Sequence, residues 1–301
     1  MTQQGYVRMM IMKKLREKWF KSMLTVALMT ALVMGAVPVS GVVITARASG
    51  VPEPDVTYNS ENVWGGTLEL DTDTVVGLSN INVATDNGSA IRISGNAIVH
   101  LVISGSVHLT GSANSRAAGI EVEQGSTLHL YGMEGSSLSV KGGKYGAGIG
   151  SVGFDSSSEG KPNAGAIIIH SGTIVAEGGY RAAGIGSGYH QSASEIKIYG
   201  GSVTATGGIG GAGIGSGYGT SGGADIGVGF YNSGNITISG GTVSATGGQF
   251  AAGIGGGYGA SSGEIVIDGK ADVTATGNCG GAGIGTGRGT NMETSYEKSR
   301  G

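Results

Sequence analysis

The sequence is poor in the residues that would place it in several common protein classes. It has one cysteine, Cys279, so no disulfide can form within the chain. Only 4 prolines accompany 63 glycines, and the glycines follow no strict three-residue period, which excludes a collagen triple helix. Charged residues make up 13% and hydrophobic residues 39%, a composition that permits a packed core and is not typical of disordered chains. The net charge of -3 gives no electrostatic reason to expect a nucleic acid as partner.

The main apolar run lies at the N-terminus and predicts an export signal over residues 1–48. A basic stretch beginning at Met12, the expected true start, precedes an apolar run from Met23, which ends before the A-x-A cleavage pattern Ala46-Arg47-Ala48. We expect a mature, secreted or surface-associated chain from Ser49, with transient membrane contact through the signal alone. The alternative is an uncleaved anchor, because an apolar run of about 20 residues can span a bilayer.

Beyond the signal, one glycine-rich phrase recurs along the chain. The phrase AGIG occurs five times, and the diverged copies AIRI and AGIE raise the total to seven. Successive copies begin 28 to 40 residues apart around a base period of 28 to 30, which is typical of solenoid repeats. The copies begin at Ala90, Ala118, Ala147, Ala183, Ala212, Ala252 and Ala282.

Each period contains three short apolar segments, which are clearest in EIKI (195–198), SVTAT (202–206) and AGIG (212–215). In the first two segments apolar and polar residues alternate, the pattern of a strand with one buried face. Helical spacing does not occur outside the signal. The sequence therefore predicts an all-β fold: a right-handed parallel β-helix, a solenoid with three strands per turn and about seven turns. The handedness follows from the strong preference for right-handed crossovers.

The predicted organisation has three parts after the signal. Residues 49–80 form a leader and N-terminal cap strands, residues 81–289 form the β-helix repeats, and residues 290–301 form a disordered or truncated tail. Inward-facing side chains build a continuous core, and glycine supplies the conformations needed at the corners. No capping element is visible after the last repeat, so we expect an open edge capable of self-association. The predicted inward-facing residues are Ile196, Ile198, Val203, Ala205 and Ile214.

The phrases ISGGTVSATGG, AGIGGGYG and GSGYG resemble the glycine-rich repeat regions of secreted Gram-positive bacterial surface proteins. These regions are often grouped with carbohydrate-binding β-helix proteins of the pectate-lyase-like superfamily. The resemblance covers most of residues 81–289. It implies an extracellular location and binding of polysaccharide; some members with this fold degrade polysaccharides, so catalysis is a separate question.

The sequence shows no catalytic or metal-binding constellation. The DD, GHG and RIK motifs of polygalacturonase-type enzymes do not occur, and no carboxylate pair suited to glycoside hydrolysis stands out. The histidines lack metal-ligand spacing, and we interpret most of them as solvent-facing strand residues. Asp71 and Asp73 are weak candidates for calcium, which needs six to eight oxygen ligands. We therefore expect no enzymatic activity and no cofactor.

Two features of the sequence point to a candidate ligand-binding surface. Tyrosine recurs six residues after the alanine of AGIG, at Tyr189, Tyr218 and Tyr258, with Arg288 at that position in the next turn. Stacked on one corner, these side chains offer aromatic faces with polar tips to sugar rings. The alternative is a structural ladder that packs only against itself.

The second feature is a pair of insertions, residues 151–165 and 216–234, which follow AGIG in two of the turns. Both are expected near the tyrosines, and loops on one side of a solenoid often form its binding face. Neutral insertions at a tolerant corner are the alternative. The candidate ligand-binding residues that the insertions add are Phe154, Asp155, Phe230 and Tyr231.

These observations predict a noncatalytic extracellular surface protein that binds polysaccharide or a surface glycan. One alternative is a structural stalk or adhesin repeat region without a small ligand. Another is a degenerate polysaccharide lyase or glycoside hydrolase, which an aromatic-lined groove with clustered acids would favour.

Overall fold

The structure, a computed structural model, describes residues 50–154, 163–219 and 231–289. The predicted export signal and C-terminal tail lie outside the described residues. None of the described residues belongs to a helix long and apolar enough to cross a membrane. The described residues form these strands, in chain order: β1 (Val56–Tyr58), β2 (Leu68–Leu70), β3 (Thr74–Ala84), β4 (Ile91–Ile93), β5 (Ile98–Thr110), β6 (Ile120–Val122), β7 (Thr127–Gly132), β8 (Ser137–Lys141), β9 (Ile149–Gly150), β10 (Ala166–Ile169), β11 (Thr173–Glu177), β12 (Ile185–Gly186), β13 (Glu195–Ile198), β14 (Ser202–Thr206), β15 (Ile214–Gly215), β16 (Asn235–Ile238), β17 (Gly241–Gln249), β18 (Ile254–Gly255), β19 (Ile265–Ile267), β20 (Ala271–Asn278) and β21 (Ile284–Gly285).

The strands stack in parallel as a β-helix with three strand positions in each turn. Positions one and two belong to a single sheet, because the long strands β3 and β5 run through both positions in the first two turns. Position one continues through β7, β10, β13, β16 and β19, and position two through β8, β11, β14, β17 and β20. Position three is a separate sheet in the order β2-β4-β6-β9-β12-β15-β18-β21. The predicted parallel β-helix with three strands per turn is confirmed.

The AGIG phrase forms the third strand position, and its isoleucines stack in register from Ile120 to Ile284. The sequence prediction aligned the first copy of the phrase, AIRI, wrongly by one residue. Ile91 pairs with Ile120, so the counterpart of Ala118 is Ser89 and not Ala90. With this correction the first step is 29 residues, like its neighbours.

The interior of the solenoid is filled by aliphatic side chains that point inward from all three strand positions. The five predicted core residues Ile196, Ile198, Val203, Ala205 and Ile214 are at most 1% exposed. Burial ends at the last turn: Ile284 is 48% exposed, whereas Ile254 one turn below is fully buried. Within the described residues nothing stacks on that last turn, so its inward side chains keep one open side.

A column of glycines explains why the third position is so constant in sequence. The second glycine of AGIG has a φ of 131° in Gly186, 134° in Gly215 and 129° in Gly285, a region that side chains rarely tolerate. A methyl group on Gly215 would also overlap the carbonyl oxygen of Gly255 in the next turn. Glycine is required here both for the bend and for the close stacking of turns.

Candidate functional site

The three repeating tyrosines do form one column along a corner of the solenoid. Each follows the third strand of its turn, and its backbone N–H donates a hydrogen bond to the corner of the turn below. For example, Tyr218 N–H bonds the carbonyl of Arg181, and Tyr258 N–H bonds that of Gly210. The ring centroids are 5.6 Å apart between Tyr189 and Tyr218 and 4.9 Å apart between Tyr218 and Tyr258. We call Tyr189, Tyr218 and Tyr258 the tyrosine column.

Further side chains lengthen the tyrosine column at both ends. Tyr145 packs on Tyr189 with centroids 5.2 Å apart, and Phe250 packs on Tyr258 at 5.4 Å. The guanidinium of Arg288 lies 5.3 Å from the Phe250 centroid, which places the predicted Arg288 at the upper end. Sequence analysis missed Tyr145 and Phe250 because they precede the AGIG alanine by two residues instead of following it.

Arg181 is the central polar group of this surface and was not predicted. Its guanidinium carbon lies 4.9 Å from the ring centroid of Tyr189, 4.5 Å from that of Tyr218 and 5.1 Å from that of Tyr180. It also donates a 2.7 Å hydrogen bond to the Tyr189 hydroxyl. The sequence did contain a signal for Arg181, because it occupies the motif position that is glycine in Gly210 and Gly280. In the structure this position has a φ of 66° in Arg181, which is unusual for a residue with a side chain.

The members of the tyrosine column differ in exposure. Tyr189 is only 7% exposed and its hydroxyl bonds Arg181, so its main contribution is packing. Tyr218 and Tyr258 are half-buried. The neighbouring Tyr180 is 42% exposed and leaves its ring open to solvent. The surface available to a ligand therefore consists of Tyr180 and Tyr218 beside the Arg181 guanidinium, with Tyr258 next to Tyr218.

Described residues of both insertions lie beside the tyrosine column. Phe154 N–H donates a 2.9 Å hydrogen bond to the carbonyl of Tyr189. In the second insertion, the Tyr231 ring stacks on His190 at 5.6 Å, and His190 stacks on Tyr189 at 3.8 Å. Two other candidates from the insertions, Asp155 and Phe230, lie outside the described residues.

A second aromatic group lies on the first strand position and was missed by sequence analysis. His100 and His129 stack with centroids 4.5 Å apart, and His170 stacks on Tyr131 at 4.3 Å. Tyr199 follows in the next turn, 5.5 Å from His170. We call these five residues the histidine cluster. His100 and His129 are 29 residues apart, one repeat period, which is the signal that would have revealed their contact.

Burial and the repulsion between protonated imidazoles keep the three histidines of the histidine cluster uncharged. Burial and the neighbouring His100 and His170 lower the pKa of His129 to about 4. Burial also lowers the pKa of His100, against the opposing effect of Asp73. The interpretation of these histidines as independent solvent-facing residues was therefore incomplete: the side chains point outward but cover one another.

A group of acids surrounds Arg92 on the third strand position. Glu69, Arg92 and Glu121 stand in register on adjacent turns, and Arg92 Nε donates a 2.9 Å hydrogen bond to Glu123. Arg92 nitrogens lie 3.5 Å from a Glu69 oxygen and 3.7 Å from a Glu121 oxygen. Burial raises the pKa of Glu121, while a hydrogen bond from Ser89 acts against this shift. One arginine thus contacts all three carboxylates.

The structure also shows the surroundings of Asp73, the calcium candidate, and of Cys279. Asp73 accepts a 2.8 Å hydrogen bond from the backbone N–H of Ile98, and Cys279 is an exposed free thiol. Among the residues that the structure describes, no group of three or more histidine, cysteine, aspartate or glutamate side chains is arranged to hold a metal ion.

A model of the Beta helix repeat matches four successive segments of the chain, residues 167–189, 196–218, 236–258 and 265–288. Three of these segments end at a member of the tyrosine column, and the fourth ends at Arg288. No curated protein and no solved structure matches the chain. The repeat match and the strand stacking agree that the chain is a parallel β-helix repeat protein.

Proposed function

We propose that this chain is a noncatalytic, exported surface protein that binds polysaccharide along the tyrosine column. The observation that carries the proposal is the continuity of aromatic rings from Tyr145 to Phe250, with the Arg181 guanidinium between them. Aromatic faces pack against the apolar faces of sugar rings, and phenol and guanidinium groups hydrogen-bond hydroxyls. A column that repeats once per turn suits a ligand that is itself a repeating polymer.

Ring orientation supports an open surface. Tyr189 and Tyr218 meet at 71°, and Tyr218 and Tyr258 meet at 48°. Rings tilted in this way do not close face to face as a parallel stack does, so part of the Tyr218 and Tyr258 rings stays available. The roots of both insertions, at Phe154 and Tyr231, border the same surface and would widen the contact region.

The test is glycan-array binding by the full chain and by a double variant, Tyr180→Ala with Tyr258→Ala. These positions are preferred to Tyr189, whose burial would confound loss of binding with loss of structure. Tyr199→Ala is the matched control, because Tyr199 is 48% exposed but lies in the histidine cluster. Saturable binding that the double variant loses and the control keeps supports the proposal. Absence of binding to all glycans, or equal loss in the control, contradicts it.

A structural role with self-association is the second candidate, and the exposed apolar side chain of Ile284 favours it. The side chain of Ile284 is 48% exposed, while its equivalent Ile254 is fully buried under the next turn. An exposed strand edge with apolar side chains is a template for pairing with another chain. Sedimentation equilibrium tests this: we expect association that Ile284→Lys abolishes, and a wild-type chain that stays monomeric at high concentration contradicts it.

The enzymatic alternative would rest on the acids around Arg92. Glu69, Glu121 and Glu123 all contact Arg92, and their contacts lie on the third strand position, where no ring contact accompanies them among the described residues. We propose no reaction for this group.

A further inference from the structure

The histidine cluster is built from two neighbouring columns of outward side chains. His100 and His129 are in register on β5 and β7. The His170 N–H bonds the carbonyl of Leu130, which sets His170 beside Tyr131, one column further along. His129 and His170 are therefore diagonal neighbours on adjacent turns. Strand stacking alone fixes this placement, since both backbones belong to the same parallel sheet.

The two imidazoles face each other through ring nitrogens. His129 Nδ1 lies 3.0 Å from His170 Nε2, and the ring planes differ by 17°. With ring centroids 5.3 Å apart and nearly coplanar, the rings meet edge to edge, so these two nitrogens point toward each other. In the neutral pair one nitrogen carries the hydrogen and donates a hydrogen bond to the lone pair of the other.

Both rings are held in place by their neighbours. His100 stacks on one face of His129 at 4.5 Å, and Tyr131 stacks on His170 with planes only 2° apart. Side chains locked in this way lose little further rotamer freedom on binding, which favours ligation. The buried Nδ1 of His100 has no hydrogen-bond partner and lies in the same cluster.

The protonation state also suits ligation. A metal ion needs neutral imidazole, and protons compete for the same nitrogen. The pKa of His129 is lowered to about 4 by burial and by its neighbours, and burial lowers that of His170. The other charged groups nearby are Asp73 beside His100 and the ion pair of Lys197 with Glu195 on β13. At neutral pH both imidazoles are therefore uncharged, and neither needs to lose a proton to solvent before it binds a metal ion.

We propose that His129 Nδ1 and His170 Nε2 form a two-ligand site for a divalent first-row transition metal ion, with water completing the coordination. Metal–nitrogen bonds of about 2.0–2.1 Å at a tetrahedral centre place the two nitrogens about 3.4 Å apart. The existing separation of 3.0 Å is close to this value, and each ring must also rotate in its own plane so that its nitrogen points at the metal ion and not at the other nitrogen. Imidazole ligands suit copper, nickel and zinc, and copper binds most tightly in this series.

The proton balance of this step is simple. Each neutral imidazole carries one proton on two nitrogens. The histidine that donates the hydrogen bond moves its proton to its other ring nitrogen, and the freed lone pair binds the metal. No proton leaves the protein, so the binding enthalpy at pH 7 is expected to be independent of the buffer.

The test is isothermal titration of the full chain, without a polyhistidine tag, with CuCl₂, NiCl₂ and ZnCl₂. We expect one saturable site. Loss of an outer-shell partner already weakens metal binding by about 10–100-fold, so His129→Gln and His170→Gln should each weaken it at least about tenfold. His108→Gln is the matched control, because His108 is an exposed histidine on β5 whose Nε2 lies 3.1 Å from the Ser106 hydroxyl and which does not belong to the histidine cluster.

Three outcomes overturn the proposal: no saturable binding of any of the three ions, unchanged binding in His129→Gln and His170→Gln, or equal weakening in His108→Gln. Thermal unfolding of each variant shows whether it is folded. If His129→Gln fails to fold, the partly exposed His170 position decides the question alone.

Discussion

The glycine column permits a paired substitution that separates stacking from backbone strain. Gly215 and Gly285 share the same motif position and nearly the same φ, 134° and 129°. They differ in what lies above: a methyl group at Gly215 would overlap the Gly255 carbonyl, whereas one at Gly285 comes no nearer than 3.6 Å to the Ala282 side chain. Gly285→Ala therefore measures strain alone, and Gly215→Ala measures strain plus the clash between turns.

The expected magnitudes follow from this difference. A side chain at such a φ costs about 1–3 kcal/mol, and both variants carry this cost. Forcing an extra methyl group into close packing costs a further ~1–3 kcal/mol or more, because the obstacle is backbone and cannot change rotamer. We therefore expect Gly215→Ala to lower the free energy of unfolding by about 2–6 kcal/mol. Effects of alanine on the unfolded chain are the same in both variants and cancel in the comparison.

The assay is urea unfolding followed by circular dichroism, with the midpoint and slope compared between variants, because a repeat array need not unfold in one step. The reasoning predicts a clearly lower midpoint for Gly215→Ala than for Gly285→Ala. Equal midpoints would refute it, since the clash with the next turn would then contribute nothing.

Three further predictions use other parts of the solenoid. Ile214→Ala, at a fully buried position, should cost about 2–5 kcal/mol in urea unfolding, and Ile284→Ala, at a position 48% exposed, clearly less; similar costs would contradict the continuous core. Arg181→Gly should leave the backbone unchanged, because glycine readily adopts its φ of 66°. The variant should lose cation–π contacts worth about 0.5–2 kcal/mol and expose Tyr189 to fluorescence quenchers. Unchanged quenching would show that the guanidinium does not cover the ring. The pKa of His129 falls from 6.5 to about 4 on folding, so the unfolded chain binds more protons between these values and stability falls as pH drops from 6.5 to 4. His129→Gln should flatten that part of the stability profile, and a steeper profile would contradict the shift.

The sequence was sufficient to predict the fold because stacking repeats its demands every turn. The isoleucine and second glycine of AGIG meet their counterparts directly above and below, so the same phrase must recur. Ser89-Ala90-Ile91 was misaligned by one residue because this copy lacks both glycines, and only strand pairing shows that Ile91 stands over Ile120.

Outward side chains were harder to predict, because nothing forces them to repeat. Arg92 and Glu121, like His100 and His129, are 29 residues apart, so adding one period would have found both pairs. His170 follows His129 by 41 residues, because an insertion intervenes and the two side chains meet diagonally. The repeat period alone therefore does not predict that contact.

The stacking of turns also bears on what such a chain is good for. About 29 residues are needed to add one turn, and one turn adds only about 4.8 Å of height. An extended polyproline-type linker gains about 3.1 Å from each residue, so a solenoid is a poor way to gain reach. Those residues instead provide surface around the solenoid, because each turn presents three strand faces and their corners at a fixed height. The same substitution in consecutive turns therefore places a row of identical side chains along the solenoid axis. Lengthening the array by whole repeats enlarges this display area without altering its cross-section.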